Sequence, residues 1–448
     1  MSVINNRTES VASERAVLVG VLLDDRQFPE EPLAELEGLA WTAGARVAGQ
    51  LTQRRPAPDK TTYLGKGKVE ELKQLVDARD ADVVIFDNDL TPAQTRNLEK
   101  AVGAKVLDRS ELILDIFASR AQTYEARLAV ELAQLQYSLP RLKQMWNHLS
   151  RIKMGIGMRG PGEKQLEVDR RLVEKRIVDL RRELQAVERR KERQVAARND
   201  RMTVSLVGYT NAGKSTLLNK LTGSNVLAEN KLFATLDTRT RRWQLPGWGP
   251  VLLSDTVGFI RDLPHHLIAS FKATLEEARQ ANLLLHVADA SSRSVFEQIS
   301  AVYRVLEELG IQEKGTVLVL NKVDALSNRA RLDALLDRYP HAIPISARSG
   351  QGLNQLAQAV SAALSRGFLD LDIDVDVDNG RLLAFLAANG EILSKQYHDE
   401  RAVIHCRIPR KHLGRIQEEA ATVRIHRNGA PADEEEQVLL PGKVEDVA

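Results

Sequence analysis

The sequence predicts a multidomain α/β protein: an N-terminal α/β domain, an antiparallel helical hairpin, a central domain with a doubly wound, mostly parallel sheet, and a small C-terminal α+β domain. Three observations predict it. From residue 202 onward, short apolar runs alternate with helix-length segments, the signature of a doubly wound sheet. Before that, two apolar seams at helical spacing flank a glycine-rich break, as two packed antiparallel helices require. Near the end, Leu369, Leu371, Ile373, Val375 and Val377 alternate with Asp370, Asp372, Asp374, Asp376 and Asp378, the period-two pattern of a strand with one acidic face.

The chain has 448 residues, of which 43% are hydrophobic and 28% charged, a composition that folds and is too long for one ordinary domain of ~100–200 residues. The predicted boundaries are 1–118, 119–199, 200–366 and 367–427, followed by a loose acidic tail at 428–448. A single cysteine, Cys406, excludes a disulfide framework and a cysteine-based zinc site, and fits a reducing compartment. Residues 1–15 are polar without an apolar signal core, and no apolar run approaches the ~18 residues that span a bilayer. The expected location is the cytoplasm, with peripheral membrane association as the variant, and a monomer is expected.

In the first domain, the apolar run 16–23 reads as a strand and 31–43 as a helix; 83–86 and 105–107 read as short buried strands. Between the last two, Thr91-Pro92 is a cap followed by proline at the first helical position. Next, Leu128, Leu132, Leu135, Leu139 and Leu142 form one seam, and Val173, Ile177, Leu180, Leu184 and Val187 the other. The connection 155–162, Gly-Ile-Gly-Met-Arg-Gly-Pro-Gly, reads as a loop. A second arm of about 30 residues reaches some 45 Å. From 132 to 162 there is no Asp or Glu, whereas 170–201 carries twelve Lys/Arg against six Asp/Glu, an excess of six positive charges although the whole chain is only +2. With Tyr137 and Trp146 nearby, this hairpin suits a polyanion such as RNA; a solvated helix face is the plainer reading. In the central domain the strands are placed at 203–207, 251–254, 283–288, 317–320 and 343–345. The acidic strand from 368 on reads as a solvated edge, because successive acids along an extended chain diverge from any one calcium ion.

The chemistry is concentrated in the central domain. Gly208-Tyr209-Thr210-Asn211-Ala212-Gly213-Lys214-Ser215 follows a strand and leads through Thr216 into a helix, the setting in which backbone N–H groups surround phosphate oxygens. Lys214 is then expected on the β- and γ-phosphates and Ser215 on magnesium. Asp255-Thr256-Val257-Gly258 closes another strand; its Asp can hold magnesium through water and its glycine N–H can sense a γ-phosphate. Asn321-Lys322-Val323-Asp324 and Ser346-Ala347-Arg348 follow later strands. A carboxylate at 324 accepts both guanine N–H groups, which adenine does not offer, so the base is guanine. Together the four boxes predict a P-loop GTPase.

Residues Phe233, Ala234, Thr235, Leu236 and Asp237 occupy the place of the first switch loop. Thr235 is the candidate second magnesium ligand, with Thr238 and Thr240 as rivals; Lys214, Thr235 and Gly258 are the candidate catalytic groups. Phe259 stands where Ras-like enzymes carry a water-orienting Gln. An apolar ring cannot orient water, so hydrolysis by the chain alone is expected to be slow. Asn211 offers a carbonyl for a potassium ion beside the phosphates, or else serves only the turn.

With Tyr63-Leu-Gly-Lys-Gly-Lys68, Arg159-Gly-Pro-Gly-Glu-Lys-Gln-Leu166 and the boxes with Phe259, the chain resembles the HflX family of ribosome-associated GTPases over nearly its full length. The resemblance implies the four-domain arrangement, binding of the large ribosomal subunit, splitting of stalled ribosomes notably under heat stress, and GTP hydrolysis stimulated by ribosomal RNA. It also implies magnesium at Ser215 and Thr235, and switch segments at 233–237 and 255–258. Thr238 stands where the family often has proline. Two other readings stay open: an ATP-dependent RNA remodelling enzyme working through Gly65-Lys-Gly-Lys68, and a regulatory protein whose grip on a partner is switched by GTP.

Overall fold

In the first domain Val17, Val19 and Val21 pack on one side of the chain while Ala16 and Leu18 pack on the other. A strand apolar on both faces belongs inside a parallel sheet covered by helices, and that is its place. The computed structural model describes residues 11–23, 31–149, 161–196, 202–224, 232–236, 238–246, 248–261, 277–311, 315–326, 328–398, 400–420 and 422–426. The elements are β1 (Arg15–Leu23), α1 (Ala34–Ala43), β2 (Arg46–Arg55), α2 (Lys66–Arg79), β3 (Val83–Phe86), α3 (Pro92–Val102), β4 (Lys105–Asp108) and α4 (Arg109–Arg120). The strands form a parallel sheet in the order β2-β1-β3-β4. The cap read from Thr91-Pro92 forms as a reciprocal pair, the Thr91 hydroxyl accepting from Gln94 N–H and the Gln94 side chain accepting from Thr91 N–H. Lys66 and Lys68 lie in the first turn of α2, and Lys68 pairs with Glu71 at 2.9 Å.

Two long helices follow, α5 (Tyr124–Leu149) and α6 (Pro161–Ala196). At ~1.5 Å per residue the second runs some 54 Å. Leu128, Leu132, Ile177, Leu180 and Leu184 are buried between the arms, with Leu135, Leu139 and Val173 packed against them. Pro161 and Gly162 begin α6 instead of ending the loop, because proline is tolerated at the first helical position; the rest of the glycine-rich tip, 155–160, lies outside the described residues. Tyr137, read as part of an RNA-facing surface, and Arg141, in the same acid-free stretch, turn inward. Both bond to Asp108, at 2.7 and 2.8 Å, with the guanidinium over the Tyr137 ring, since a buried carboxylate needs partners. The side chain of Trp146 is outside the described residues.

The third unit contains β5 (Thr203–Gly208), α7 (Lys214–Thr222), β6 (Arg239–Leu245), β7 (Gly249–Asp255), β8 (Leu283–Asp289), α8 (Val295–Glu308), β9 (Thr316–Asn321), α9 (Arg329–Arg338), β10 (Ile343–Pro344) and α10 (Leu353–Gly367). The sheet order is β10-β9-β8-β5-β7-β6, parallel except for the β6–β7 pair. One core runs from α1 and α4 through α5 and α6 to Phe233, Leu236, Phe259 and Ile260, so the helical face of the first domain is packed directly on the loops that follow β5 and β7.

The last unit has β11 (Phe368–Asp376), α11 (Gly380–Asn389), β12 (Glu391–His398), β13 (Arg401–Pro409), α12 (Leu413–Glu419) and β14 (Thr422–Ile425), with sheet order β12-β13-β11-β14. The acidic strand is therefore interior and not an edge. It pairs with β13 on one side and β14 on the other, and its aspartates are answered by cross-strand Arg and His. The acidic tail is outside the described residues.

Candidate nucleotide site

The site lies at the carboxyl ends of β5, β7 and β9, where an open α/β sheet presents its crevice. Gly213 caps the N-terminus of α7 at φ +93, and a Cβ there would lie 2.3 Å from Asn321 Nδ2; only glycine fits. Gly258 is equally constrained by close approach, a Cβ falling 2.7 Å from the Thr210 Cα. Asn211 has φ +59, a conformation Asn tolerates better than most residues. Lys214 Nζ donates to the carbonyls of Gly208 and Tyr209 at 3.0 and 2.9 Å. Burial lowers its pKa to about 8, opposed by the charge of Asp255.

Three oxygens converge beside it. Ser215 Oγ donates to Asp255 Oδ2 at 2.6 Å and lies 2.7 Å from Thr235 Oγ1, which itself donates to Asp255 Oδ2 at 3.2 Å. Asp255 is fully buried, and its other carboxylate oxygen has no hydrogen-bond partner among the described residues. Burial raises its pKa, against the charge of Lys214 and the two hydroxyls. A compact set of hard oxygens including one unsatisfied carboxylate atom fits magnesium chemistry. The other two threonines are engaged elsewhere: Thr238 reaches Glu277 at 3.4 Å, and Thr240 bonds to Glu277 and Ser254. Thr210, Asn211, Gly213, Lys214, Ser215, Thr216, Phe233, Ala234, Thr235, Thr256 and Gly258 line one cavity of about 50 Å³. Thr256 ties the second switch to the sheet by donating to the Leu206 carbonyl, and Val257 is buried. Asp237 lies outside the described residues.

Asn321 joins the later boxes to the phosphate loop. Its Nδ2 donates to the Ala212 carbonyl, and its Oδ1 accepts from Ala347 N–H, both at 2.9 Å. Lys322, at φ +63, pairs with Asp289 at 2.7 Å. Val323 N–H bonds to the Ile345 carbonyl, bringing the turn with Asp324 beside Ser346 and Ala347, while Asp324 and Arg348 stay exposed.

Sequence reasoning missed how far the first domain takes part. Phe233 has φ +54, a rare conformation for a bulky residue, and is held from both sides: its N–H donates to Thr210 Oγ1 at 2.7 Å, and its ring meets Phe117 edge-on at 4.6 Å. Phe259 is pinned by its backbone, accepting from Thr210 N–H at 2.6 Å and donating to the Gly208 carbonyl at 3.1 Å, with its ring in the shared core. Next to it Tyr209 donates to Glu35 at 2.8 Å and accepts from Arg261 N–H at 2.7 Å; Arg261 and Arg109 both grip Asp87, at 2.9 and 2.7 Å, and Arg109 also grips Glu35. Glu35 in α1, Asp87 just after β3 and Arg109 in α4 lie far apart along the chain, so no spacing in the sequence connects them.

A phosphate loop on β5, a carboxylate after β7 and a guanine-type Asn-Lys-x-Asp turn after β9 define a P-loop GTPase. Three family models match along the chain: "GTP-binding GTPase N-terminal" at 30–118, "GTP-binding GTPase Middle Region" at 120–198 and "50S ribosome-binding GTPase" at 203–322. Curated relatives called GTPase HflX include those of Escherichia coli, 49% identical over 79% of this chain and 84% of that one, Lacrimispora saccharolytica, 45% over 88% and 94%, and Magnetococcus marinus, 44% over 94% and 99%. The chain belongs to the HflX family of GTPases and is a GTP-hydrolysing enzyme. Among solved structures, a GTP-binding protein from Sulfolobus solfataricus in complex with GDP is 24% identical, covers 78% of this chain and 98% of that one, and has a TM-score of 0.42. No helix among the described residues is long and apolar enough to cross a membrane.

Proposed function

We propose that the protein binds the large ribosomal subunit and uses GTP hydrolysis to split or rescue stalled ribosomes, from a catalytic site that is slow alone and is completed on docking. The observation that carries this reading is the packing of both switch segments against the first domain and hairpin: Phe233 on Phe117, and Phe259 in the core they share. A partner that grips the first domain or the hairpin then acts on the catalytic loops through direct contact, and Phe259 leaves the water-orienting role to a group from outside. In this reading Lys214 neutralises the β- and γ-phosphates, Gly258 N–H senses the γ-phosphate, Ser215 and Thr235 hold magnesium with Asp255 behind them, and Asp324 selects guanine. Magnesium, when bound, supplies charge stabilisation between the phosphates. Asn211, exposed at the rim, is the candidate potassium contact. Lys175, Arg182 and Arg190 are exposed along α6, within about 80° of one another around its axis, and give a helix face suited to phosphate backbones. The family description "50S ribosome-binding GTPase" supports the same partner.

The test is light scattering of intact ribosomes mixed with the protein. GTP should split them into subunits with repeated turnover. If scattering is unchanged at saturating protein with any guanine nucleotide, the splitting reading fails, whatever the GTPase rate.

A further inference from the structure

The polar face of the C-terminal sheet gathers two imidazoles and two carboxylates at one point. Asp372 stands directly opposite His405 in the β11–β13 register. His426 follows β14, and its backbone N–H donates to the Asp370 carbonyl at 2.8 Å, which lays its ring beside that of His405 with centroids 3.8 Å apart. One ligand atom from each of Asp372, His405 and His426 lies within 4.8 Å of the others.

We propose that these three residues bind a divalent transition-metal ion of the zinc class, linking the end of β14 to β11 and β13. Two imidazole nitrogens and one carboxylate oxygen are the donor set of zinc and its neighbours, whereas calcium and magnesium take oxygen. This separates the site in kind from the all-oxygen cluster at Ser215. Bonds of ~2.0–2.1 Å place tetrahedral ligands about 3.3 Å apart, so side-chain rotation of roughly an ångström closes the triad. The three residues are partly exposed, which leaves an entry path and a position for water.

The surrounding groups are arranged as a metal site requires. Asp370 Oδ1 lies 2.7 Å from His405 Nε2, and Asp370 Oδ2 accepts from Arg407 Nε at 3.1 Å. A carboxylate on the outer side of an imidazole fixes its ring and tautomer. Arg407 is itself buried and stacks over Trp248 of the GTPase domain at 4.3 Å, so the support is anchored in a neighbouring domain. Asp372 Oδ2 lies 2.8 Å from His426 Nδ1, the contact an ion would take over. A face of cross-strand ion pairs alone predicts no such binding.

The test is calorimetric titration of the full chain, saturated with Mg–GDP and stripped of trace metals, with zinc chloride. Cobalt absorption provides a second readout, because tetrahedral cobalt shows visible bands that ion pairing does not produce. One equivalent should bind. The pair His405→Gln and His426→Gln should abolish it, Asp370→Asn should weaken it by ~10–100-fold, and Ser215→Ala should leave it unchanged. Absence of binding to the unmodified chain, or equal binding by the double variant, overturns the proposal. Far-ultraviolet circular dichroism of each variant distinguishes loss of the site from loss of the fold.

Discussion

At residue 259 the sequence and the geometry bear on the same question. A Phe at that position already says that no side chain there orients water. The structure adds that its backbone is bonded twice to the phosphate loop and its ring is buried in a core shared with the first domain. Phe259→Gln should therefore not accelerate GTP hydrolysis. It should lower stability by about 3 kcal/mol, from the lost apolar packing and the buried amide, and thermal melting beside a turnover assay checks both. Thr235 is a choice the sequence left among three threonines, and contact with Ser215 and Asp255 favours it. Thr235→Ala should reduce kcat about a hundredfold, and Thr238→Ala should change it by less than about threefold; equal losses would mean the wrong threonine is assigned. Lys214 offers a pH test. Its buried ammonium has a pKa lowered to about 8, so the charge that attracts phosphate is present below that pH and lost above it. Affinity for GDP should fall as the pH is raised through about 8, as read by fluorescent nucleotide binding, and a flat profile would contradict the placement.

Among elements, regular alternation was legible wherever burial imposes a period. The parallel strands other than β2, the hairpin seams and the capped helix α3 are marked by apolar spacing or cap chemistry; β2, with a largely polar sequence, is not. Strand β6 and the interior position of β11 were not, because a polar strand face reads the same whether water or a neighbouring strand covers it. The same holds for Tyr137 and Arg141, whose basic, acid-free surroundings suggested RNA, yet whose partner is Asp108, about 30 residues away in sequence. The largest omission is the network joining α1, β3 and α4 to Tyr209 and Arg261. Arg109 has a 4% exposed side chain between Glu35 and Asp87. Arg109→Met removes the buried cation between the two carboxylates, leaving Asp87 to Arg261 and Glu35 to Tyr209, and should cost about 3 kcal/mol of stability, measured by denaturant unfolding. Because Arg261 follows the second switch segment by three residues, the same change should alter GTP turnover, although residue 109 lies outside the nucleotide boxes.

For the whole molecule, one core runs from the first domain through the hairpin to Phe233 and Phe259 beside the nucleotide site, so these three units are coupled through direct packing. The order of the domains was readable from sequence. Their joint burial of Phe233 and Phe259 was not, because nothing in a linear pattern says which apolar faces of separate units meet. Electrostatic attachment to ribosomal RNA should weaken roughly tenfold or more for a threefold rise in salt; affinity insensitive to salt would count against the exposed α6 arginines as the contact. The central claim, an incomplete GTPase finished by the large subunit, is tested most directly by GTP turnover of the pure protein in buffer, with small subunits and with large subunits, each in sodium and in potassium. The account predicts slow turnover in buffer and with small subunits, and a rise of orders of magnitude with large subunits. Turnover equally fast in all three would contradict it.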